Sequence, residues 1–177
     1  DATTAIETVQ GLDMLTLHEA AAWVDAAQRA QAAIDNAFVR HGPLAPLRLH
    51  GDCHPGNLLW HDDGQESGAH VVDLDDACMG PAVQDLWMLA SGDAQTQAMQ
   101  FELLLQGYRQ WCDFDARERL LVEPLRTLRM LRHSAWLAER WIDPAFPAAF
   151  AYFGTPAYWS QQTTQLREQL ERMAHGC

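Results

Sequence analysis

Residues 49–76, LHGDCHPGNLLWHDDGQESGAHVVDLDD, restrict the fold more than any other part of the chain. Two short apolar runs, Leu58-Leu59-Trp60 and His70-Val71-Val72, flank the polar segment His61–Ala69, which contains Gly64 and Gly68. Short apolar runs bounded by polar residues and glycine predict a β-hairpin rather than helix. No other part of the chain reads clearly as sheet except Leu47-Arg48-Leu49, a plausible short strand on the approach. The remainder has helical period, so the expected fold class is α+β, mostly α, with one small β element.

The helical segments carry their own start and stop signals. Thr16 and Glu19 have the spacing of a capping box. After them Trp23, Ala27, Ala30, Ile34 and Phe38 recur at steps of four and three, and Gly42-Pro43 ends the run. This predicts one helix of about 25 residues, nearly 40 Å long at the usual rise per residue, with His18 and His41 facing solvent at its ends. Residues 1–15 carry few signals and read as a connecting segment. Beyond the hairpin, Gly80-Pro81 opens a helix with Val83, Leu86, Trp87 and Ala90 on its apolar face, closed at Ser91-Gly92. Asp93 caps another, expected to bury Met99, Leu103, Tyr108 and Trp111. Asp115 and Glu118 form a second capping-box pattern ahead of the stripe Leu121, Leu125, Leu128, Leu131, Ala135, Ala138 and Ile142. Pro124 predicts a kink or a fresh start within it. Asp143-Pro144 and Thr155-Pro156 predict two more helix starts, the last helix burying Trp159, Leu166, Leu170 and Met173. Aromatic residues from Trp141 to Trp159 read as core.

Composition excludes several functions. A net charge of −12 over 177 residues argues against a surface that wraps nucleic acid through phosphate contacts. No apolar run reaches the roughly 20 residues of a membrane span, and no signal peptide is visible. Cys53, Cys78, Cys112 and Cys177 have no paired spacing and read as reduced thiols of a cytoplasmic protein. The chain opens at Asp1 rather than Met, which reads as a piece of a longer or processed protein. It contains no lysine; all 12 basic residues are arginine.

The hairpin has a chemical consequence. If it is symmetric about Gln65, Asn57 lies opposite Asp73, and facing side chains on antiparallel strands stand about 5 Å apart at Cβ. Two oxygen-bearing side chains at that separation can share one Mg2+. Asp52 lies five residues before Asn57 on the entering loop, with Pro55-Gly56 turning the chain between them. That leaves a carboxylate near the metal but free of it, which suits a base that orients an attacking hydroxyl. Its ordinary basicity is no obstacle in phosphoryl transfer, where positioning and charge neutralisation do most of the work.

His50-Gly51-Asp52-x-His54-Pro55-x-Asn57, followed by Val72-Asp73-Leu74-Asp75-Asp76, resembles the catalytic signature of the aminoglycoside phosphotransferase/choline kinase superfamily, relatives of the protein kinases. LRLHGDCHPGNLLW, VDLDDACMGPAVQDLWMLASGD and EPLRTLRMLRHSAWLAERWIDPAFP together resemble the bacterial stress response kinase A family, over roughly residues 48–160. The resemblance implies a protein-kinase-like C-terminal lobe and an ATP- and Mg2+-dependent serine/threonine kinase of the cytoplasm. By the motif, Asp52 is the proton acceptor, Asn57 a Mg2+ ligand and Asp73 the main Mg2+ ligand. Asp75 is either a further metal or substrate contact or a solvated acid, and Asp76 is structural or solvated. His50 is expected to pack and hydrogen-bond the catalytic loop rather than react. Asp85 resembles the helix Asp that anchors that loop, with a plain surface acid as the alternative. His50 and His54 have HxxxH spacing, but in a Pro-Gly loop that is poor evidence for zinc.

The chain also departs from the pattern. A complete kinase has a Gly-rich loop, a strand lysine on the phosphates and a glutamate paired with it; neither the loop nor any lysine is present. The expectation is therefore a linker over residues 1–15 from a missing N-terminal lobe, and the catalytic C-terminal lobe over residues 16–177. Expected partners are ATP, a protein substrate with a Ser/Thr hydroxyl and that N-terminal lobe, with no nucleic acid and no membrane. Two alternatives remain: a small-molecule phosphotransferase acting on an aminoglycoside, choline or homoserine, or an inactive isolated lobe that serves as a binding module. Arg126, Arg129, His133, Trp136 and Arg140 share one helical face, either as a strip for acidic or phosphorylated groups or as ordinary salt-bridging arginines.

Overall fold

The computed structural model describes residues 1–12, 16–62, 64 and 67–175. In chain order the elements are α1 (Ala2–Gln10), α2 (Leu17–His41), β1 (Leu47–Leu49), β2 (Leu58–Asp62), β3 (Ser67–Val71), β4 (Cys78–Gly80), α3 (Val83–Trp87), α4 (Ala94–Tyr108), α5 (Val122–Arg140), α6 (Ala145–Ala149) and α7 (Pro156–His175). Short 3₁₀ turns at Pro55–Asn57 and Ala116–Leu121 join them. The chain is mostly helical with small antiparallel sheets, as expected. It divides into two compact units: Asp1–Arg40 with Glu123–Cys177, and His41–Val122.

The first unit is a helical core. Ala2, Ala5, Ile6 and Val9 repeat at i, i+3, i+4 and i+7 and are all buried, so α1 is a packed helix where the sequence reading had only a connecting segment. Asp1 caps it, accepting the Thr4 N–H at 3.0 Å. Thr16 and Glu19 cap α2 reciprocally, each side chain bonded to the other's backbone N–H. Trp23 and Trp159 are fully buried and meet edge to face at 5.8 Å, a contact worth about 1 kcal/mol beyond the area it buries. Pro124 lies in the first turn of α5, so the helix starts afresh there. Asp143 and Thr155 accept backbone N–H groups at the starts of α6 and α7. Leu166 and Met173 are buried on α7 as predicted. Ile142, expected in the stripe, is 94% exposed because α5 has ended before it.

The second unit, His41–Val122, carries the hairpin. β2 and β3 pair antiparallel, and β1 pairs antiparallel with β4, a strand the sequence reading missed just before the expected helix start at Gly80-Pro81. α3 is five residues long, much shorter than the helix expected to run on to Ser91-Gly92. Asp93 caps α4 through the Thr96 N–H at 2.8 Å, as predicted. The buried side of α4 is not the predicted one: Leu105 is buried, whereas Met99, Leu103 and Trp111 are exposed. Leucines and methionine surround much of this helix, so period alone does not choose its face. His41 is also buried rather than solvent-facing, its Nδ1 3.3 Å from the Gly42 carbonyl oxygen. Cys53, Cys78 and Cys112 are free thiols; Cys177 lies outside the described residues, as does Gln65.

Candidate active site

The loop that carries Asp52 is held from three directions. From α3, the Asp85 carboxylate accepts the His50 N–H at 2.7 Å and the Gly51 N–H at 2.9 Å. Asp85 is thus a bonded anchor of this loop and not a plain surface acid. Its neighbour Gln84 donates from Nε2 to the Gly51 carbonyl at 3.0 Å. From the loop itself, the buried His50 ring accepts the Asp52 N–H on Nδ1 at 3.3 Å. That bond assigns the ring proton to Nε2, which lies 2.8 Å from the Val72 carbonyl oxygen and donates to it. Both ring nitrogens are therefore engaged, which removes His50 from any zinc reading of HxxxH. The third constraint is steric. Gly51 has φ +87°, and a Cβ there would stand 2.1 Å from the Asp76 carbonyl oxygen. Only glycine lets the loop pass so close to the Asp75-Asp76 turn.

The hairpin brings the remaining residues in, but in a different register from the symmetric one. Leu58 pairs with Val71 and Asp62 with Ser67, so the centre lies half a residue before Gln65. The Val72 N–H donates to the Asn57 carbonyl at 3.1 Å. Asn57 therefore faces Val72, and Asp73 follows one position later. A one-residue shift in a strand would turn the side chain to the other face. Here Asp73 leaves the strand at φ 64°, the only positive φ at a non-glycine residue among those described. Aspartate tolerates this left-handed geometry better than most residues, and such conformations cluster at functional sites. Asp73 is exposed and makes no polar contact among the described residues; Asp75 is likewise exposed and free.

Asn57 is 7% exposed. Its Nδ2 donates to the Asp52 carbonyl at 3.0 Å, which leaves its Oδ1 as the uncommitted end of the amide. His54 begins the 3₁₀ turn and accepts the Gly56 N–H on Nδ1 at 3.0 Å. Its neutral ring therefore carries the proton on Nε2, which stands 3.5 Å from the Asp52 carboxylate. A Cβ on Gly56 would fall 2.7 Å from that ring. Burial, and then the Asp85 carboxylate, push the Cys53 thiol above its usual range.

Together, Asp52, Asn57 and Asp73 offer carboxylate and amide oxygens at the base of one hairpin. That donor set suits a hard cation such as Mg2+, not zinc. Among the described residues there is no group of three or more His, Cys, Asp or Glu that could hold a metal ion.

A family model described as "Phosphotransferase enzyme family" matches residues 5–122, which include all of this machinery. The chain belongs to that family. This phosphotransferase-family chain is 51% identical over 126 residues to stress response kinase A of Salmonella choleraesuis, a match covering 71% of this chain and 37% of that protein. It is equally similar, at 51% over 126 residues, to the serine/threonine protein kinase RdoA of Salmonella typhimurium, again 71% of this chain and 37% of the relative. Stress response kinase A of Escherichia coli strain K12 is 51% identical over 123 residues, 70% of this chain and 36% of the relative. The matched region is thus little more than a third of the length of these curated relatives.

Three residues bonded to or near this loop escaped the sequence reading. Gln84 and Glu118 act through backbone groups distant in sequence, and nothing in their local pattern announces it. Glu118 was expected to close a capping box with Asp115. Asp115 does accept the Arg117 N–H, but the Glu118 carboxylate accepts the Val83 N–H at the start of α3, at 3.0 Å. His54 was weighed only as a zinc ligand. In the arginine strip of α5, Arg126 meets Glu123 at 3.5 Å, and Arg140 lies over the Trp136 ring at 4.9 Å. Among the described residues, no helix is long and apolar enough to cross a membrane.

Proposed function

We propose that this chain is the C-terminal catalytic lobe of a cytoplasmic ATP- and Mg2+-dependent kinase that transfers the γ-phosphoryl group to a Ser/Thr hydroxyl of a protein substrate. What supports the reading is the chain's course at the hairpin base: Asn57 Nδ2 donates to the Asp52 carbonyl, the Val72 N–H donates to the Asn57 carbonyl, and Asp73 follows Val72 directly. Asp52 is the proton acceptor for the attacking hydroxyl. Its backbone is fixed on both sides, by His50 and by Asn57, so the carboxylate is aimed before substrate arrives. Asn57 Oδ1 and the Asp73 carboxylate would hold Mg2+, with Asp75 as a further candidate. When bound, that ion neutralises charge on the phosphate oxygens. Asp73 is exposed at a positive φ, and among the described residues its carboxylate has no partner that would compete with a cation. The grip on ATP is assigned to an N-terminal lobe outside this chain, since the chain lacks both lysine and a Gly-rich loop. Similarity to the serine/threonine protein kinase RdoA of Salmonella typhimurium favours a protein acceptor over an aminoglycoside, choline or homoserine.

The test uses the complete protein. Asp52→Ala should lower kcat by at least about 100-fold, the usual span for losing a positioned acid–base group, with the fold unchanged by circular dichroism. Transfer by that variant at the wild-type rate would remove Asp52 from the mechanism. Offering a protein acceptor and small alcohols side by side separates the two substrate classes. The isolated 177-residue chain is expected to bind Mg2+ weakly and to turn over little ATP; robust turnover would overturn the two-lobe argument.

A further inference from the structure

The backbone just before Asp52 is held by Asp85 and Gln84, both on α3. α3 is poorly equipped for that task by itself. It is five residues long, far below the length at which a helix holds its own shape. Ala82 stands at its N-cap and makes no side-chain cap bond; the Pro81 carbonyl accepts the Gln84 N–H at 3.0 Å, which leaves the Val83 N–H to find an acceptor elsewhere.

The missing cap comes from elsewhere. Glu118, 35 residues away in the 3₁₀ turn Ala116–Leu121, is 6% exposed, and its Oε2 accepts the N–H of the fully buried Val83 at 3.0 Å. Burying a carboxylate is costly unless it is well bonded. At a helix N-terminus the free N–H and the helix dipole both favour negative charge, which supplies the compensation. The side chain turns away from its own turn, whose start is already capped by Asp115.

We propose that Glu118 is a positioning residue for phosphoryl transfer. Its carboxylate caps α3 at Val83, and α3 in turn fixes the two side chains that hold the His50-Gly51-Asp52 backbone. The inference rests on the reading of Asp52 as proton acceptor. Glu118 touches neither substrate nor metal; it acts by keeping Asp85 and Gln84 in register with the loop. A loosened α3 therefore disturbs the aim of Asp52 and not the hold on nucleotide.

The experiment compares Glu118→Ala and Glu118→Gln in the complete protein, reading kcat, KM for ATP and amide exchange at His50 and Gly51. The alanine variant should lose about tenfold in kcat, the equivalent of one lost cap, with KM for ATP changed less than twofold. The His50 and Gly51 amides should exchange faster. Glutamine keeps an acceptor oxygen and should recover most of the lost kcat. If the alanine variant does not fold, glutamine decides alone: near-wild-type kcat with protected amides supports the role, and tenfold loss with unprotected amides supports it too. A glutamine variant that loses kcat while both amides stay protected overturns it. So does an alanine variant that is merely less stable, with kcat per folded molecule unchanged. Asp52→Ala run in parallel isolates the underlying reading: if that variant still transfers phosphate, Asp52 is not the acceptor, and the amide exchange alone then judges whether Glu118 holds the loop.

Discussion

Replacing Asp85 with alanine should release the catalytic loop, and the size of the release follows from its bonds. The carboxylate accepts two backbone N–H groups, from His50 at 2.7 Å and from Gly51 at 2.9 Å. Hydrogen bonds to a charged group contribute about 1.5–3 kcal/mol each, and an orphaned buried donor costs about 1–3 kcal/mol. His50 is buried, while Gly51 is partly open and can recover some loss through water. The net cost should therefore be about 2–4 kcal/mol, nearer one full bond plus a fraction than two full bonds. At 1.4 kcal/mol per tenfold, that corresponds to exchange of the His50 and Gly51 amides about 30- to 1000-fold faster. Hydrogen exchange read by NMR resolves the two amides from the rest of His41–Val122. Residues of the β2–β3 ladder serve as the internal reference, because Asp85 does not touch them. The reasoning is refuted if both amides keep their wild-type protection, or if the ladder loses protection to the same extent as the loop.

Two glycines should behave differently under the same change. Gly51→Ala drives a Cβ against the backbone oxygen of Asp76 and strains a φ of +87°, so it should cost about 3 kcal/mol or more and abolish transfer by the complete protein, checked by denaturation and assay. Gly56→Ala meets only the His54 ring, which can swing aside; the protein should stay folded while kcat falls as the ring leaves Asp52, and unchanged kcat would show that His54 contributes nothing. Burial pushes Tyr158 up to about 12, against a lowering from its Ser134 hydrogen bond and with a further rise from Tyr152. The folded protein then binds more protons than the unfolded chain above about pH 10, so stability should be flat below that and fall by about 3 kcal/mol toward pH 12, measured by urea unfolding across the series.

The element types and many caps were legible. Thr16 with Glu19, Asp93, Asp143 and Thr155 all accept backbone N–H groups at helix starts as their local patterns predict, because such a bond joins residues two or three apart. Faces and partners were harder to read. The stripe of α4 offered more than one apolar side, and the exposed Met99 and Leu103 lay on the losing one. α1 shows the opposite failure: its i, i+3, i+4, i+7 pattern was present in the sequence, but short alanine-rich runs look like linkers until something packs on them. Symmetry set the expected hairpin register, and the real one differs by a single residue, which moves Asn57 from Asp73 to Val72.

The sequence by itself determined the donor chemistry. The residues Asp52, Asn57 and Asp73, their spacing across a glycine-bearing hairpin, and the absence of lysine are all legible there. Only the tertiary structure decided how those donors are held. Asp85 and Gln84 grip the loop from 33 to 35 residues away, Glu118 caps their helix from 35 residues away, and Asp73 reaches its position through a left-handed backbone angle. The reason is physical: caps and periodicity are written in neighbouring residues, whereas a backbone N–H has no identity in sequence, so its distant acceptor becomes visible only once the chain has folded.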